Sequence, residues 1–405
     1  MNIVCAESVF RAREAFAPLG AVELVPDREI SPRHLRRADA LVIRSKTRVT
    51  ADLLRDTPVQ IVATTTAGTD HIDLPALARL GIAAASAPAC NANAVAEYVL
   101  TALALLARDE NTPLEGRRIG IVGDGHIGSL VAEKALALGL VPLRSDPPKA
   151  ALLPPSSPSR ATYLPLPDLL PQADILALHT PLTSPPTPYP TRHLITASAL
   201  CSLPRGAWLI NASRGAVVDS DALEFALQND HLAAAVLDVW EDEPAPSPLL
   251  PLARYLTPHI AGYSVEGLLN GTLAAYRAIC RFFEIEPRWT PSLPPAPPIA
   301  LDLARHSPTD AMAAVLSAAC PLAADSDAWR TAFSDAAAES AALAAALPPS
   351  APPPLAPYRQ AFDLFRRSYS NRREFSATPL RLRHAPSDLL PVLASLSFPL
   401  TSSLD

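Results

Sequence analysis

No run of about 18 uninterrupted apolar residues occurs in the 405-residue chain, so the usual signature of a membrane-spanning helix is missing. The N-terminal MNIVCAESVF has neither a basic leader nor a long apolar stretch, no secretory signal is read there, and the expected location is the cytoplasm. Basic charge is not in excess: the net charge is -6 and the pI near 5.9. That balance leaves no footprint for nucleic acid or an anionic membrane, so any anion must be held locally. Cysteine is sparse. The five, Cys5, Cys90, Cys201, Cys280 and Cys320, are odd in number and form neither a C-x-x-C pair nor a metal-ligand spacing. Buried thiols in a reducing compartment are expected, and no metal site.

What the chain has is a hydrophobic fraction of 49% and a length beyond one ordinary core, so two or three domains are expected. Proline is abundant, 45 residues against a usual share of about 5%. Its clusters at 147–171, 184–190, 291–298 and 348–357 mark connections. The first of these takes the place of a crossover helix, and little order is expected there.

The first hundred residues alternate short apolar runs, Ile3 to Ala6, Val22 to Val25, Ala40 to Arg44, Ile61 to Thr65 and Ile82 to Ser86, with helical patterns. Such alternation predicts a mostly parallel sheet covered by helices. A long apolar helix over 91–108 follows. A second alternating series starts at Arg117, with strands predicted at RRIGIVG, Val141 to Ser145, Asp174 to His179, Ala207 to Asn211 and Ala234 to Asp238. A helix is predicted over 265–283. Beyond Glu284 come Pro-rich linkers, Ala-rich helical patterns and a basic stretch, FDLFRRSYSNRREF, enough for a third, smaller domain.

GDGHIG places Gly123, Gly125 and Gly128 after an apolar strand and before a helix, the context that raises a G-x-G-x-x-G above chance. The first glycine permits the tight turn, the second lets backbone approach a pyrophosphate, and the third lets helix and strand pack closely. A dinucleotide would rest its phosphates on the helix N-terminus. Asp146, after the next strand, stands where a ribose-binding acid belongs and favours NAD over NADP, with Arg144 nearby.

Taking a hydride from a secondary alcohol requires a base for the hydroxyl proton, and imidazole titrates near working pH. Of nine histidines, His259 is preferred because it follows an apolar run and a Thr-Pro break and precedes a glycine, at a strand end. An acid beside it would stabilise the imidazolium. Glu241, Asp242 and Glu243 are all candidates, and the sequence alone does not choose among them. Arg214, after the strand ending at Asn211, has the planar fork that binds a carboxylate or polarises a carbonyl.

The combination GIVGDGHIG, HTPL, INASRGAVVD, VLDVWEDEP and TPHIAGYS resembles the D-isomer-specific 2-hydroxyacid dehydrogenases. Within them, ATTTAGTDHID, SAPACNANAVAEYV, Tyr263 and RRSYSNRREF resemble the branch that serves pyridoxal phosphate synthesis. The resemblance runs through nearly the first 285 residues and returns near Phe362. It implies an α/β fold of two Rossmann-like or flavodoxin-like lobes with parallel sheets, and a small C-terminal α+β dimerisation domain. The implied domains are 1–110 with 257–285 for substrate, 111–256 for NAD, and 286–405 for dimerisation as a homodimer. It implies Arg214, Glu243 and His259 as the catalytic group, with His259 as acid/base. Asp146, Thr180, Ala212, Ser213, Arg214, Asp238 and Gly262 would surround NAD, and Ser45, Thr66 and Tyr263 the substrate, a phosphorylated four-carbon 2-hydroxy acid oxidised at C2. RSKT, residues 44–47, and Arg372 or Arg373 are candidates for the phosphate. Alternatives are a relative acting on phosphoglycerate or glyoxylate, and a non-catalytic NAD-sensing protein of the same fold. Ala89 in SAPAC stands where the family commonly has glycine, so mild backbone strain is expected there.

Overall fold

The computed structural model describes residues 1–154, 156–345, 347–348 and 352–400. Contacts divide them into two units, Met1–Ala92 with Tyr263–Pro295, and Asn93–Gly262 with Ala296 onward. The first unit holds β1 (Asn2–Ala6), β2 (Ala21–Val25), β3 (Ala40–Ile43), β4 (Ile61–Thr64) and β5 (Ala83–Ala85). They form one parallel sheet in the order β2-β1-β3-β4-β5. Strands β3 and β4 are buried throughout, as a parallel sheet covered on both faces requires. The helix Val265–Phe282 closes this core through Ala275, Tyr276 and Ile279, and Ser264 caps it by accepting the Gly267 N–H at 2.8 Å.

The second unit holds β6 (Arg118–Val122), β7 (Val141–Ser145), β8 (Ile175–Leu178), β9 (Ala207–Asn211), β10 (Leu232–Leu237) and β11 (Tyr255–Leu256). Their order, β11-β10-β9-β8-β6-β7, is parallel throughout and reverses direction between β6 and β8. In open α/β sheets ligands bind beyond the carboxyl ends at such a switch point. Gly123 follows β6 and His179 follows β8, so both lie at that place.

The tail adds β12 (Ile299–Asp302) and β13 (Leu380–Arg383), a parallel pair, with helices Pro308–Ala319, Leu322–Ala344 and Ala356–Ser368. Leu303, Ala311, Leu316 and Phe375 share a core with the helix Ala92–Asp109. Among the described residues no helix is long and apolar enough to cross a membrane, and none of the five cysteines forms a disulfide.

The expectation of little order over 147–171 is corrected. Short helices Pro147–Leu152 and Leu166–Leu169 and the 3-10 turn Pro158–Thr162 lie there, each with proline in its first turn. Proline lacks only an N–H that has no partner in a first turn anyway, so it starts these helices. The loop over 184–190 is pinned at its neck, where Thr183 and Thr191 exchange bonds at 2.8 and 3.0 Å. Of the predicted linker at 348–357, residues 349–351 lie outside the described set, and the helix Ala356–Ser368 begins within its end.

Candidate active site

The glycine turn has the shape a dinucleotide needs. Gly123 adopts φ +90, and a Cβ there would meet the His179 main chain at 2.9 Å. A Cβ on Gly128 would lie 1.9 Å from the Gly123 oxygen, so the helix packs on the turn only without one. At Gly125 a Cβ would meet nothing within 4 Å, which leaves the N-terminus of the helix His126–Ala137 open, with no side chain capping it. Both ring nitrogens of His179 and Oγ1 of Thr180 are buried without a hydrogen-bond partner among the described residues. Burial brings the His179 imidazole down to about 4, so it is neutral and can donate one bond and accept another. These features fit the cofactor expected here. His179 stands in HTPL beside Thr180, but nothing in that run marks it as a cofactor neighbour.

Asp146 accepts the Asp124 N–H through Oδ2 and the Lys149 N–H through Oδ1, both at 2.9 Å, capping the helix Pro147–Leu152. The buried Asp124 carboxylate accepts from Tyr163 at 2.7 Å and Lys149 at 3.0 Å, with Arg144 at 3.4 Å. Two cations beside Asp146 are therefore engaged by an acid within GDGHIG itself.

Around the proposed base, Asp238 organises the chain. It follows β10 and is 1% exposed. Its Oδ1 accepts from Thr257 Oγ1 at 2.6 Å and the Ile260 N–H at 2.7 Å, and its Oδ2 accepts the Ala261 N–H at 3.0 Å. Burial pushes this carboxyl up to about 6, against the opposing pull of the His259 charge and these donors. The Tyr98 hydroxyl bonds to Thr257 Oγ1 at 2.7 Å and Trp240 Nε1 donates to the Thr257 oxygen at 3.0 Å. This frame holds His259 at φ +58, a conformation that β-carbon sterics disfavour.

Of the three candidate acids the structure selects Glu243. His259 Nδ1 lies 2.5 Å from its Oε1, and the Trp240 N–H donates to its Oε2 at 3.3 Å. A carboxylate only accepts, so Nδ1 carries the proton and Nε2 is the atom left for chemistry. Burial pushes the Glu243 carboxyl up, but the charge and hydrogen bond of His259, with smaller pulls from the Arg366 charge and the Trp240 N–H, outweigh it and leave the group below its usual range. Glu241 instead bonds His193 at 2.7 Å and Ser220 at 3.0 Å. Arg214 follows a loop fixed by Asn211, whose Oδ1 accepts Ser213 N–H and O–H at 3.1 and 2.8 Å and whose Nδ2 donates to the Arg214 oxygen at 3.0 Å. Its Nη1 donates to the Ser213 oxygen at 2.8 Å. Ala212 and Ser213 are buried in that loop, and Gly262 closes the second unit just before Tyr263.

In the first unit, Thr66 follows β4. Its hydroxyl bonds Thr64 Oγ1 at 2.7 Å and donates to the Gly68 oxygen at 2.9 Å. The Arg44 guanidinium lies 5.0 Å from the Tyr263 ring centroid, and Ser45 is the next residue along that loop. Arg372 departs from expectation. It is buried, pairs with Glu97 at 2.5 Å and donates to the Ala94 oxygen at 2.6 Å, so its fork locks the tail to a helix and is not available to a phosphate.

A family model for the D-isomer specific 2-hydroxyacid dehydrogenase, NAD binding domain, matches residues 102–261. The chain is similar to an erythronate-4-phosphate dehydrogenase of Azotobacter vinelandii, 40% identical over 94% of this chain and 95% of that protein. One from Salinibacter ruber is 43% identical over 74% of this chain and 77% of its own length. Among solved structures, a D-lactate dehydrogenase from Aquifex aeolicus, complexed with NAD and lactic acid, superposes with a TM-score of 0.59 at 26% identity, covering 70% of this chain and 95% of that one.

Proposed function

Since this chain belongs to the erythronate-4-phosphate dehydrogenases of the D-isomer specific 2-hydroxyacid dehydrogenase family, we propose that it oxidises 4-phospho-D-erythronate at C2 to 2-oxo-3-hydroxy-4-phosphobutanoate, within pyridoxal 5'-phosphate synthesis. The observation that carries the reading is the Glu243–His259 pair, a positioned base with its partner acid, at 2.5 Å. When bound, NAD supplies the hydride acceptor. The chain's own groups do the rest. His259 Nε2 takes the hydroxyl proton as the C2 carbonyl forms, and Glu243 stabilises the resulting imidazolium. Arg214 binds the carboxylate and draws charge toward the forming carbonyl oxygen.

Gly123, Gly125, Gly128, Asp146, Thr180, Ala212, Ser213 and Gly262 hold the dinucleotide, and Asp238 serves it by fixing the loop that carries His259. Ser45, Thr66 and Tyr263 contact substrate, with Arg44 the cation for its phosphate, a role supported by its place over the Tyr263 ring. The segment 286–405 makes a homodimer, which the exposed Leu343, Leu355 and Leu364 on or beside its helices support. Five cysteines outside any disulfide among the described residues support a cytoplasmic location.

The decisive assay follows NAD reduction by the purified protein with erythronate 4-phosphate against 3-phosphoglycerate, with 2-oxo acids added in parallel reactions as possible acceptors. Selective turnover of the four-carbon phosphate is expected. Equal or greater turnover of 3-phosphoglycerate would move the chain to another branch of the family. A monomer by light scattering would remove the homodimer.

A further inference from the structure

Glu243 lies in a loop that the C-terminal tail covers. Trp329 and Phe333, from the helix Leu322–Ala344, and Phe362, from the helix Ala356–Ser368, line one small cavity together with Glu243 and Pro244. The same tail helix is tied down on either side. Arg330 donates to the Leu250 oxygen at 3.0 Å and the Ala253 oxygen at 2.5 Å, and Ser326 Oγ accepts the Leu256 N–H at 3.1 Å. Trp329 packs edge-on against Phe362 at 6.0 Å and Phe365 at 5.5 Å, which fixes the second helix to the first. One turn beyond Phe362, the Arg366 guanidinium lies 5.0 Å from the centroid of the Phe362 ring. The ring that walls the Glu243 cavity therefore also seats a cation.

We propose that Arg366 is a positioning residue for the acid/base pair: the tail seats its charge within electrostatic reach of the Glu243 carboxylate, on an aromatic wall that keeps it there. This inference rests on the functional reading of Glu243 and His259 given above. Against burial, the charge and hydrogen bond of His259 lower the Glu243 carboxyl most and the Arg366 charge adds to them, in agreement with the geometry. Other charged groups lie on the elements packed around Glu243. On its own loop are Glu241, engaged with His193, and Asp242; on the histidine loop is His259; on the tail helix is Asp363, one turn before Arg366. Arg330 on the neighbouring helix is committed to main-chain oxygens.

The consequence concerns the proton. A positive charge near the pair opposes protonation, so removing it lets Glu243 and His259 hold their shared proton to higher pH. The test is a titration of the His259 ring by nuclear magnetic resonance, its signals assigned by their loss in His259→Asn. In Arg366→Gln the midpoint should rise by roughly half a unit to one unit, and Arg366→Lys should stay near wild type. Arg366→Met, unbranched and uncharged, gives the same reading if the glutamine variant folds poorly. An unmoved midpoint in the uncharged variants, or a lysine variant that shifts as far as they do, would overturn the proposal. Because the imidazole itself is followed, a protein lacking turnover on erythronate 4-phosphate would sink the substrate assignment and still decide the role of Arg366. With turnover present, kcat should fall more than KM rises in the uncharged variants, since the change acts on the base.

Discussion

The main-chain N–H of His259 donates to the main-chain oxygen of Asp238 at 2.7 Å, so the end of β10 sets the position of the imidazole. The Asp238 side chain completes the hold by accepting from Thr257, Ile260 and Ala261. Asp238→Asn keeps the volume but turns an NH2 toward one of these donors. Losing a buried bond and opposing two donors costs about 1–3 kcal/mol, and the thermal midpoint should drop accordingly. Turnover should fall as well, through displacement of His259. An asparagine variant with wild-type melting and wild-type kcat would show that the loop is held by other means.

Separating base from partner acid needs two further variants. His259→Asn should lower kcat by about 10²–10⁴, the usual worth of a general base. Glu243→Gln keeps an acceptor for Nδ1 but removes the negative charge, so the imidazole loses its proton more readily. The acid limb of kcat/KM for alcohol oxidation, which requires neutral imidazole, should then move down by about one unit. A limb that moved up, or full turnover without His259, would contradict the assignment.

Much of this was legible in the chain because the signals are local. The strand Val141–Ser145 and the strand Ala207–Asn211 match their predicted limits, and the other predicted strands shift by one or two residues at an end. Gly123 and His259 were readable from strand-end context, and Glu243 only as one of three acids. Non-local relations were not readable. β12 pairs with β13 across some eighty intervening residues, and neither run marks its partner. Arg372 looked like a ligand cation because its buried partner, Glu97, belongs to a helix far upstream. Arg366 and Trp329 carried no motif, and the aromatic wall that joins them to Glu243 exists only in the folded tail.

Ala89 offers a gain in stability. It sits at φ +63 and is exposed, as the replacement of a customary glycine implied. A left-handed conformation costs a non-glycine residue roughly 1–2 kcal/mol, partly offset by the greater freedom of glycine in the unfolded chain. Ala89→Gly should therefore stabilise by about 0.5–1 kcal/mol in denaturant titration. A destabilised variant would show that the strain is already relieved by neighbouring contacts.

The tail gives the protein a pH dependence of known sign. Burial pushes the Asp325 carboxyl up to about 6, against the opposing pull of the Tyr369 hydroxyl, which donates to it at 2.9 Å, and of Arg372. A raised acid binds more protons folded than unfolded, so its stabilising contribution is present below the ordinary carboxylate range and lost as pH rises through about 6. Asp325→Asn removes this loss and can still accept from Tyr369. The melting temperature of the variant relative to wild type should be higher near neutral pH than at about pH 4. A constant difference between the two conditions would show that Asp325 does not titrate with folding.

Cofactor choice turns on an acid with two duties. Asp146 caps the helix Pro147–Leu152 and presents its carboxylate beside Arg144 and Lys149, both engaged by Asp124. Serine preserves the cap because its hydroxyl can accept the same N–H. It removes the charge that would repel a 2'-phosphate. Asp146→Ser should thus lower the preference for NAD over NADP by roughly tenfold or more, about 1.4 kcal/mol per decade. Adding Asp124→Asn should lower it further, because the bridging carboxylate charge no longer neutralises the two cations and they can turn to the phosphate. If kcat/KM for NAD and NADP fell together in Asp146→Ser, the acid would be a helix cap alone and discrimination would lie elsewhere.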